Sequence, residues 1–427
     1  MDNVTHALAG LLLADATTAW IERRTSAPAS RGLRRAIVAL GLVAAELPDA
    51  DLLYSGPAIG MGKLGYLLHH RGHTHTIVFA VLAAFVLWWA VLAVRRRATP
   101  SLDVRERVPL LTLALAGSLS HVLLDFTNTY GVHPFWPIDN RWVYGDAVFI
   151  VEPWLWIAAI APLLFGPRQA WSRVVLSLLM GVILLASWTL GEMSTALALL
   201  VTCGAAVWLL VQRFVRKGRH VAGGLAAWCL VEAVFAVSSA RAAASVREPI
   251  SPDEHVVDVV VSPGAANPLC FDALVVSITA REYRVRSATI APWSHLGASA
   301  GPQPRACRRR AGSSRFDGLL GVSPVTSHAV AGVVWGEQWA APRAELLALA
   351  ESRCEMSAAL RFLRVPVWTH RADGVVRVSD ARFGTGSGGF TDLLIAAGPC
   401  PLSARAWIPP WTPPRSEVID RAPTGRR

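Results

Sequence analysis

Long apolar runs alternate with short arginine-bearing loops over the first 240 residues, and the alternation stops near Arg241. Six runs, at 76–94, 108–125, 148–165, 174–190, 194–211 and 221–240, come near the roughly 20 residues that a bilayer demands of a helix. Two earlier runs are weaker. Met1 to Trp20 is interrupted by Asp15, and the run starting at Ala36 ends at Pro48, which disfavours helix in the residue before it. Beyond Arg241 the period changes. His255 to Val261 and Tyr283 to Ile290 suggest strands, 342–350 reads as a helix, and 360–368 and 374–383 read as strands closing the sheet. The pattern predicts an α-helical polytopic membrane domain over 1–241, with six firm spans and two short N-terminal helices. A small α/β domain follows over 245–408, and a loose Pro-rich tail over 409–427.

Composition agrees with this reading. The 427 residues are 53% hydrophobic and 17% charged, against about a quarter charged in soluble domains. The net charge of +11 comes from arginine, with Lys63 and Lys217 the only lysines. These charges sit in short loops beside the apolar runs, so they report topology and not nucleic-acid binding. The loops at 22–35, 95–107, 166–173 and 212–220 hold sixteen basic residues, and those at 48–75, 126–147 and 190–195 hold three. The positive-inside rule then puts 48–75, 126–147 and everything after Arg241 outside the cytoplasm. No cleavable signal peptide is expected, since Asp2 stands where a basic region would be. Trp136, Trp142, Trp154 and Trp156 suit an interfacial belt. Cys203 and Cys229 read as packing residues inside spans. Cys270, Cys307, Cys354 and Cys400 fall in the outer domain, where two disulfides are expected with three pairings open.

Candidate chemistry gathers at the outer ends of the helices. His69, His70, His73 and His75 fall within seven residues, and Arg71-Gly72 allows a turn inside them. Asp2 and His6 are four apart, as are His121 and Asp125, a spacing that puts each pair on one helical face. Glu46, Asp49 and Asp51 surround Pro48, and carboxylates so near lipid suggest a functional site. His133, Asp146 and Glu152 lie on the same side. Imidazoles with carboxylates suit a divalent metal, zinc foremost, with manganese or iron as alternatives. A centre of this kind points to a hydrolase at the membrane surface. A metal-ion transporter or sensor, or a scaffold whose outer domain binds a partner, are the other readings.

The motifs Met1-Asp2-Asn3-Val4-Thr5-His6, Leu47-Pro48-Asp49-Ala50-Asp51, His70-Arg71-Gly72-His73-Thr74-His75 and Ser120-His121-Val122-Leu123-Leu124-Asp125 occur in a recognisable order and spacing. In them the chain resembles the YdjM-like membrane-bound metal-dependent hydrolases of bacterial inner membranes. The resemblance is clear over about 1–160 and weaker through the outer domain. It implies His6, Asp49, Asp51, His70, His75, His121 and Asp125 as metal-site residues, with His75 and Asp125 as candidates for catalytic roles. His73 would be accessory, and Glu152 stands where many relatives have Asp before Pro. The family is distantly similar to zinc-dependent phospholipase C and single-strand nucleases. That similarity implies phosphoester chemistry, on a lipid or lipid-linked substrate arriving along the bilayer.

Overall fold

The computed structural model describes residues 1–55, 62–98, 104–166, 169–216, 218–248, 250–294, 307, 314–326, 330–398 and 408–419. Among these, six helices are long and apolar enough to cross a membrane: α1 (Asn3–Thr25), α4 (Ile77–Ala98), α5 (Val104–Phe126), α7 (Ala170–Thr189), α8 (Thr195–Phe214) and α9 (His220–Ser245). The shorter α2 (Arg31–Glu46), α3 (Gly62–His69) and α6 (Pro153–Phe165) complete the helical part.

The number of long helices agrees with the expectation, but the membership differs. The first run, expected to be short, forms the 23-residue α1, about 34 Å long at 1.5 Å per residue. Asp15 does not interrupt it, because its side chain is buried among neighbouring helices and not turned to lipid. The run at 148–165, expected to span, gives a helix of only 13 residues. Its start is fixed by Glu152, whose Oε1 accepts from Trp154 N at 3.1 Å, with Pro153 in the first turn. Glu152 Oε2 also accepts from Ala266 N at 3.1 Å, and Trp154 Nε1 donates to Ala266 O at 3.0 Å. A turn of the C-terminal region therefore sits on the N-terminus of α6, whose residues from Leu155 to Leu163 are all buried. An element wrapped by protein has no lipid to match in length.

α1 and α2 pack backbone against backbone. A Cβ on Gly10 would stand 2.5 Å from Gly41 O, and one on Gly41 would stand 2.6 Å from Gly10 O. Only glycine at both positions permits this approach. It brings the start of α1 and the end of α2 together, where His6 and Asp49 lie.

The C-terminal region holds two antiparallel sheets. β1 (His255–Gly264), β2 (Asn267–Ile278), β3 (Glu282–Ile290), β4 (Ser323–Pro324) and β5 (Val333–Pro342) form one, in the order β1-β2-β3-β5-β4. β6 (Pro366–His370), β7 (Val376–Asp380) and β8 (Leu393–Ile395) form the other. β1, β3 and the helix α10 (Arg343–Ser352) were expected, whereas β2 and β5 were not. The 360–368 and 374–383 segments do not close the first sheet. Asp380 Oδ2 accepts from Arg364 N at 2.7 Å and Val365 N at 3.3 Å, which bends the chain before β6 and starts a separate sheet.

Both faces of the larger sheet are buried. Val259, Val261, Phe271 and Val275 pack on Ala242 and Val246 at the end of α9. The opposite face, with Val260, Val276 and Val285, shares its core with Leu64, Leu67 and Leu68 of α3 and with Tyr130 and Trp142. The helical part and the C-terminal region are therefore joined by one hydrophobic core. The tail expected to be loose from residue 409 is seated in that core as far as Ile419. Trp411 is fully buried, with Nε1 donating to Leu68 O at 3.0 Å. The expected tryptophan belt is not formed by Trp142 and Trp156, which are buried, the latter donating to Thr5 Oγ1 at 3.0 Å. Cys270 and Cys307 form a disulfide. Cys354 is also disulfide-bonded, while Cys400 lies outside the described residues. Cys203 and Cys229 are free and exposed, not packed inside.

Candidate metal centre

Four chain segments converge at one end of the helical part. Asp2 caps α1, accepting from Thr5 N at 3.0 Å through Oδ1, and His6 follows one turn later. Asp2 is thus a cap and not a partner of His6. After α2 the chain tightens into a 3-10 turn, Leu47–Leu53, with Pro48 at its start, which aims Asp49 and Asp51 inward. A second such turn, His73–His75, follows α3. Arg71, not Gly72, takes the left-handed conformation there, at φ 60°. Gly72 meets a different demand: a Cβ on it would lie 2.6 Å from His69 O. His121 and Asp125 come from the last turns of α5.

Asp49, His75, His121 and Asp125 each offer a ligand atom within 4.8 Å of the others, and Asp49, Asp51 and His70 form a second such group. His75 Nε2 lies 3.1 Å from Asp125 Oδ2, 3.2 Å from Asp49 Oδ1 and 3.1 Å from His121 Nε2. His121 Nε2 is 3.5 Å from Asp49 Oδ1 and 3.6 Å from Asp125 Oδ2. His121 Nδ1 donates to Ala45 O at 2.6 Å, so its Nε2 carries the lone pair. Thr74 Oγ1 donates to Asp51 Oδ2 at 2.9 Å and lies 3.0 Å from His75 Nδ1, so it accepts from that nitrogen. Both Nε2 atoms are then left facing each other and the carboxylates. His70 Nδ1 meets Asp51 Oδ1 at 3.0 Å. His6 stacks on His121 with ring centroids 3.7 Å apart, its Nε2 3.3 Å from Asp125 Oδ1, and belongs to neither group of converging atoms.

The electrostatics favour a cation. Glu46, Asp49, Asp51 and Asp125 gather here, and Arg71 reaches Asp125 Oδ1 at 2.8 Å. The α-amino group of Met1 contacts the same oxygen. Burial opposes ionisation of Asp49, but hydrogen bonds from His121 and His75 outweigh it and hold the carboxyl below its ordinary range. Burial likewise opposes charge on Asp51, and His70 and His75 hold it low. Burial disfavours a charged His75, yet Asp125, Asp49 and Asp51 raise its pKa to about 10. Such a field calls for a positive charge between the imidazoles, either a proton or a metal ion. Asp125 Oδ2 and both nitrogens of His6 are buried with no hydrogen-bond partner among the described residues. These donors fit a divalent ion.

Other residues singled out from the sequence lie elsewhere. Asp146 Oδ1 accepts from Arg364 Nη1 at 2.8 Å, and Glu152 caps α6. His133 stacks on Trp411 at 3.7 Å, and His73 packs on Trp136 and Trp411 at 4.5 and 4.8 Å. His69 is buried and is in neither ligand group. Two contributors escaped the sequence reading. Arg71 also donates to Asn128 Oδ1 at 3.1 Å and lies over the Tyr130 ring at 4.3 Å. Asn3 Nδ2, at the exposed corner, donates to Glu46 Oε2 and Asp49 Oδ2, both at 3.1 Å. An arginine inside a histidine run was the available signal for the first, and Asn3 stands inside the motif Met1 to His6, which gave it no role of its own.

Residues 1–196 match the family described as YdjM inner membrane protein. Over that stretch, less than half of the chain, the protein is similar to the YdjM family, and among the described residues six helices are long and apolar enough to cross a membrane. No curated protein and no solved structure matches it.

Proposed function

We propose that this YdjM-like chain is a membrane-bound metal-dependent hydrolase that cleaves a phosphoester in a lipid or lipid-linked substrate. The reaction takes place at the outer face of the inner membrane. The observation that carries the reading is the pair of lone-pair-bearing Nε2 atoms of His75 and His121, 3.1 Å apart and faced by Asp49 and Asp125. Two imidazole nitrogens meet in this way around a shared cation, a proton or a metal ion, and the surplus of carboxylates beside them favours the metal. Zinc is the first candidate for an O- and N-donor set of this kind.

In this reading Asp49, His75, His121 and Asp125 hold one ion, and Asp49, Asp51 and His70 supply a second group sharing Asp49. A divalent ion there supplies Lewis-acid charge and lowers the pKa of water. The chain's own groups do the rest. Asp51 and Thr74 orient His75, the Ala45 carbonyl orients His121, and Arg71 balances part of the charge on Asp125. His75 and Asp125 are placed to touch the reacting phosphoester, and His6 backs the ring of His121. Asn3, exposed and bonded to Asp49, marks the corner through which substrate enters. The outward orientation rests on sixteen basic residues against three in the opposing loops.

Elemental analysis of the purified chain, with phosphate release from phospholipids in nanodiscs, tests the reading. The wild type should retain a divalent metal and release phosphate or a phosphorylated headgroup, and His121→Ala should lose both. Metal retention with no cleavage of any phospholipid or lipid-linked phosphate would replace hydrolysis by metal transport or sensing. Absence of metal from the wild type would end the proposal.

A further inference from the structure

A groove of about 920 Å³ opens between α1, α2 and α7 and holds none of the candidate metal ligands among its lining residues. This is at the upper end of ligand-pocket volumes, about 300–1,000 Å³. Its walls are apolar: Ala7 and Leu11 of α1, Val38 and Leu42 of α2, Val175 and Leu179 of α7. One end has a different character. There the N-termini of α2 and α7 meet, bringing Arg31, Arg34 and Arg35 together with Gln169, Trp171 and Ser172.

Three arginines in the first turns of a helix oppose its dipole, which favours anions at that end. Nearby acidic charge does not compensate them. Glu22 is taken by Arg34 at 2.6 Å and by Ala29 N at 3.0 Å. Arg31 and Arg35 are exposed and make no ion pair among the described residues. Gln169 Oε1 accepts from Trp171 Nε1 at 2.7 Å and not from the first backbone N–H groups of α7, so that helix also presents N–H groups without a side-chain cap. Guanidiniums and two helix N-termini above an apolar trough have the polarity of one molecule, a phosphate headgroup on acyl chains.

We propose that this groove is a binding site for an anionic phospholipid, with its headgroup phosphate on Arg31 and Arg35 and its acyl chains along α1, α2 and α7. The site is independent of the hydrolase reading. Its headgroup end lies at the ends of α1 and α2 remote from His6 and Asp49, so the bound lipid is a resident of the bundle and not the substrate of the metal centre. By lying between α1 and α2 on one side and α7 on the other, it would brace the two helices that bring those residues together.

The test uses the full chain, purified in detergent and stripped of lipid, with dioleoylphosphatidylglycerol or dioleoylphosphatidylcholine added. Retained lipid is counted by native mass spectrometry. The wild type should prefer the anionic lipid roughly 25-fold, since each of the two arginines near an anionic headgroup is worth about fivefold. Arg31→Gln with Arg35→Gln should abolish the preference, and each single variant should reduce it, which keeps the test usable if the double variant fails to insert. Ala39→Trp, which fills the trough, should lower retention of both lipids. Equal retention of the two lipids by the wild type, or an undiminished preference in the arginine variants, would overturn the proposal. Displacement of the anionic lipid by millimolar inorganic phosphate would also overturn it, reducing the site to one for free anions.

Discussion

Two buried charged clusters lie on the same side of this molecule, and they differ in how their charge closes. In one, Arg364 bonds Asp146 at 2.8 Å and Asp258 at 2.7 Å, Arg415 reaches the same Asp258 at 2.5 Å, and Tyr144 lies beneath Arg364 at 3.9 Å. Two cations meet two carboxylates, and the guanidinium forks use the oxygens offered. In the other, carboxylates outnumber the Arg71 guanidinium, and imidazole nitrogens confront each other. The first cluster is complete as protein and joins the helical part to the C-terminal region. The second has donors to spare, which separates a site that binds something from one that holds the fold.

The strongest way to break this contrast is His121→Ala, which removes a donor from the second cluster. Bound metal and any phosphoesterase activity should vanish, while membrane insertion and the melting temperature of the metal-free protein change little. Elemental analysis beside a thermal melt separates the two effects. Arg364→Met should do the opposite. Leaving Asp146 and Asp258 buried without their cation should cost about 3–5 kcal/mol of stability, with metal content per folded molecule unchanged. If Arg364→Met instead released metal, the two clusters would not be separate.

Finer changes sharpen the comparison. Asp51→Asn keeps its shape but weakens the acceptor for Thr74 and His70, and metal affinity should fall about 10- to 100-fold, as for other groups that orient ligands. The pH dependence of the balanced cluster has a definite sign. Burial opposes ionisation of Asp258, but Arg364 and Arg415 outweigh it and hold its carboxyl below the ordinary range. Its contribution is therefore complete above the unfolded value of about 3.9 and is lost as pH falls through the folded value. Asp258→Asn should lower stability at pH 7 and flatten this part of the acid-side decline, read as the difference between two melting curves. The smallest effect belongs to His73→Phe. His73 packs on Trp136 and Trp411 and touches no candidate ligand, so a change under about 1.5 kcal/mol with full metal retention is expected.

Much of the candidate site was legible because it is built from short-range spacing. His121 and Asp125 share a helix face by their interval alone, and the Pro48 turn announces the paired aspartates. Sidedness was less informative than it looked. Asp146 and His133 lie on the same side as the centre, but their partners are Arg364 and Trp411, more than 200 residues away in the chain. No local pattern records such a pairing. The same holds for α6: the hydropathy of 148–165 is that of a span, and the shortening comes from a contact between Glu152 and Ala266. β2 escaped notice because both of its faces are buried, with Ala273 to Ser277 buried without a break, which removes the alternation a half-exposed strand displays.

Trp411 closes over the histidine turn from 343 residues beyond its hydrogen-bond acceptor, Leu68. At about 5–20 residues per second, synthesis of the intervening chain takes on the order of tens of seconds. The segments bearing the ligand donors leave the ribosome early, all by Asp125, and the indole that covers the turn arrives much later. Biogenesis thus leaves an interval in which the donors have been made and the cover has not. The donors can therefore meet one another before Trp411 packs against His73 and His133 and fixes the turn that carries His75.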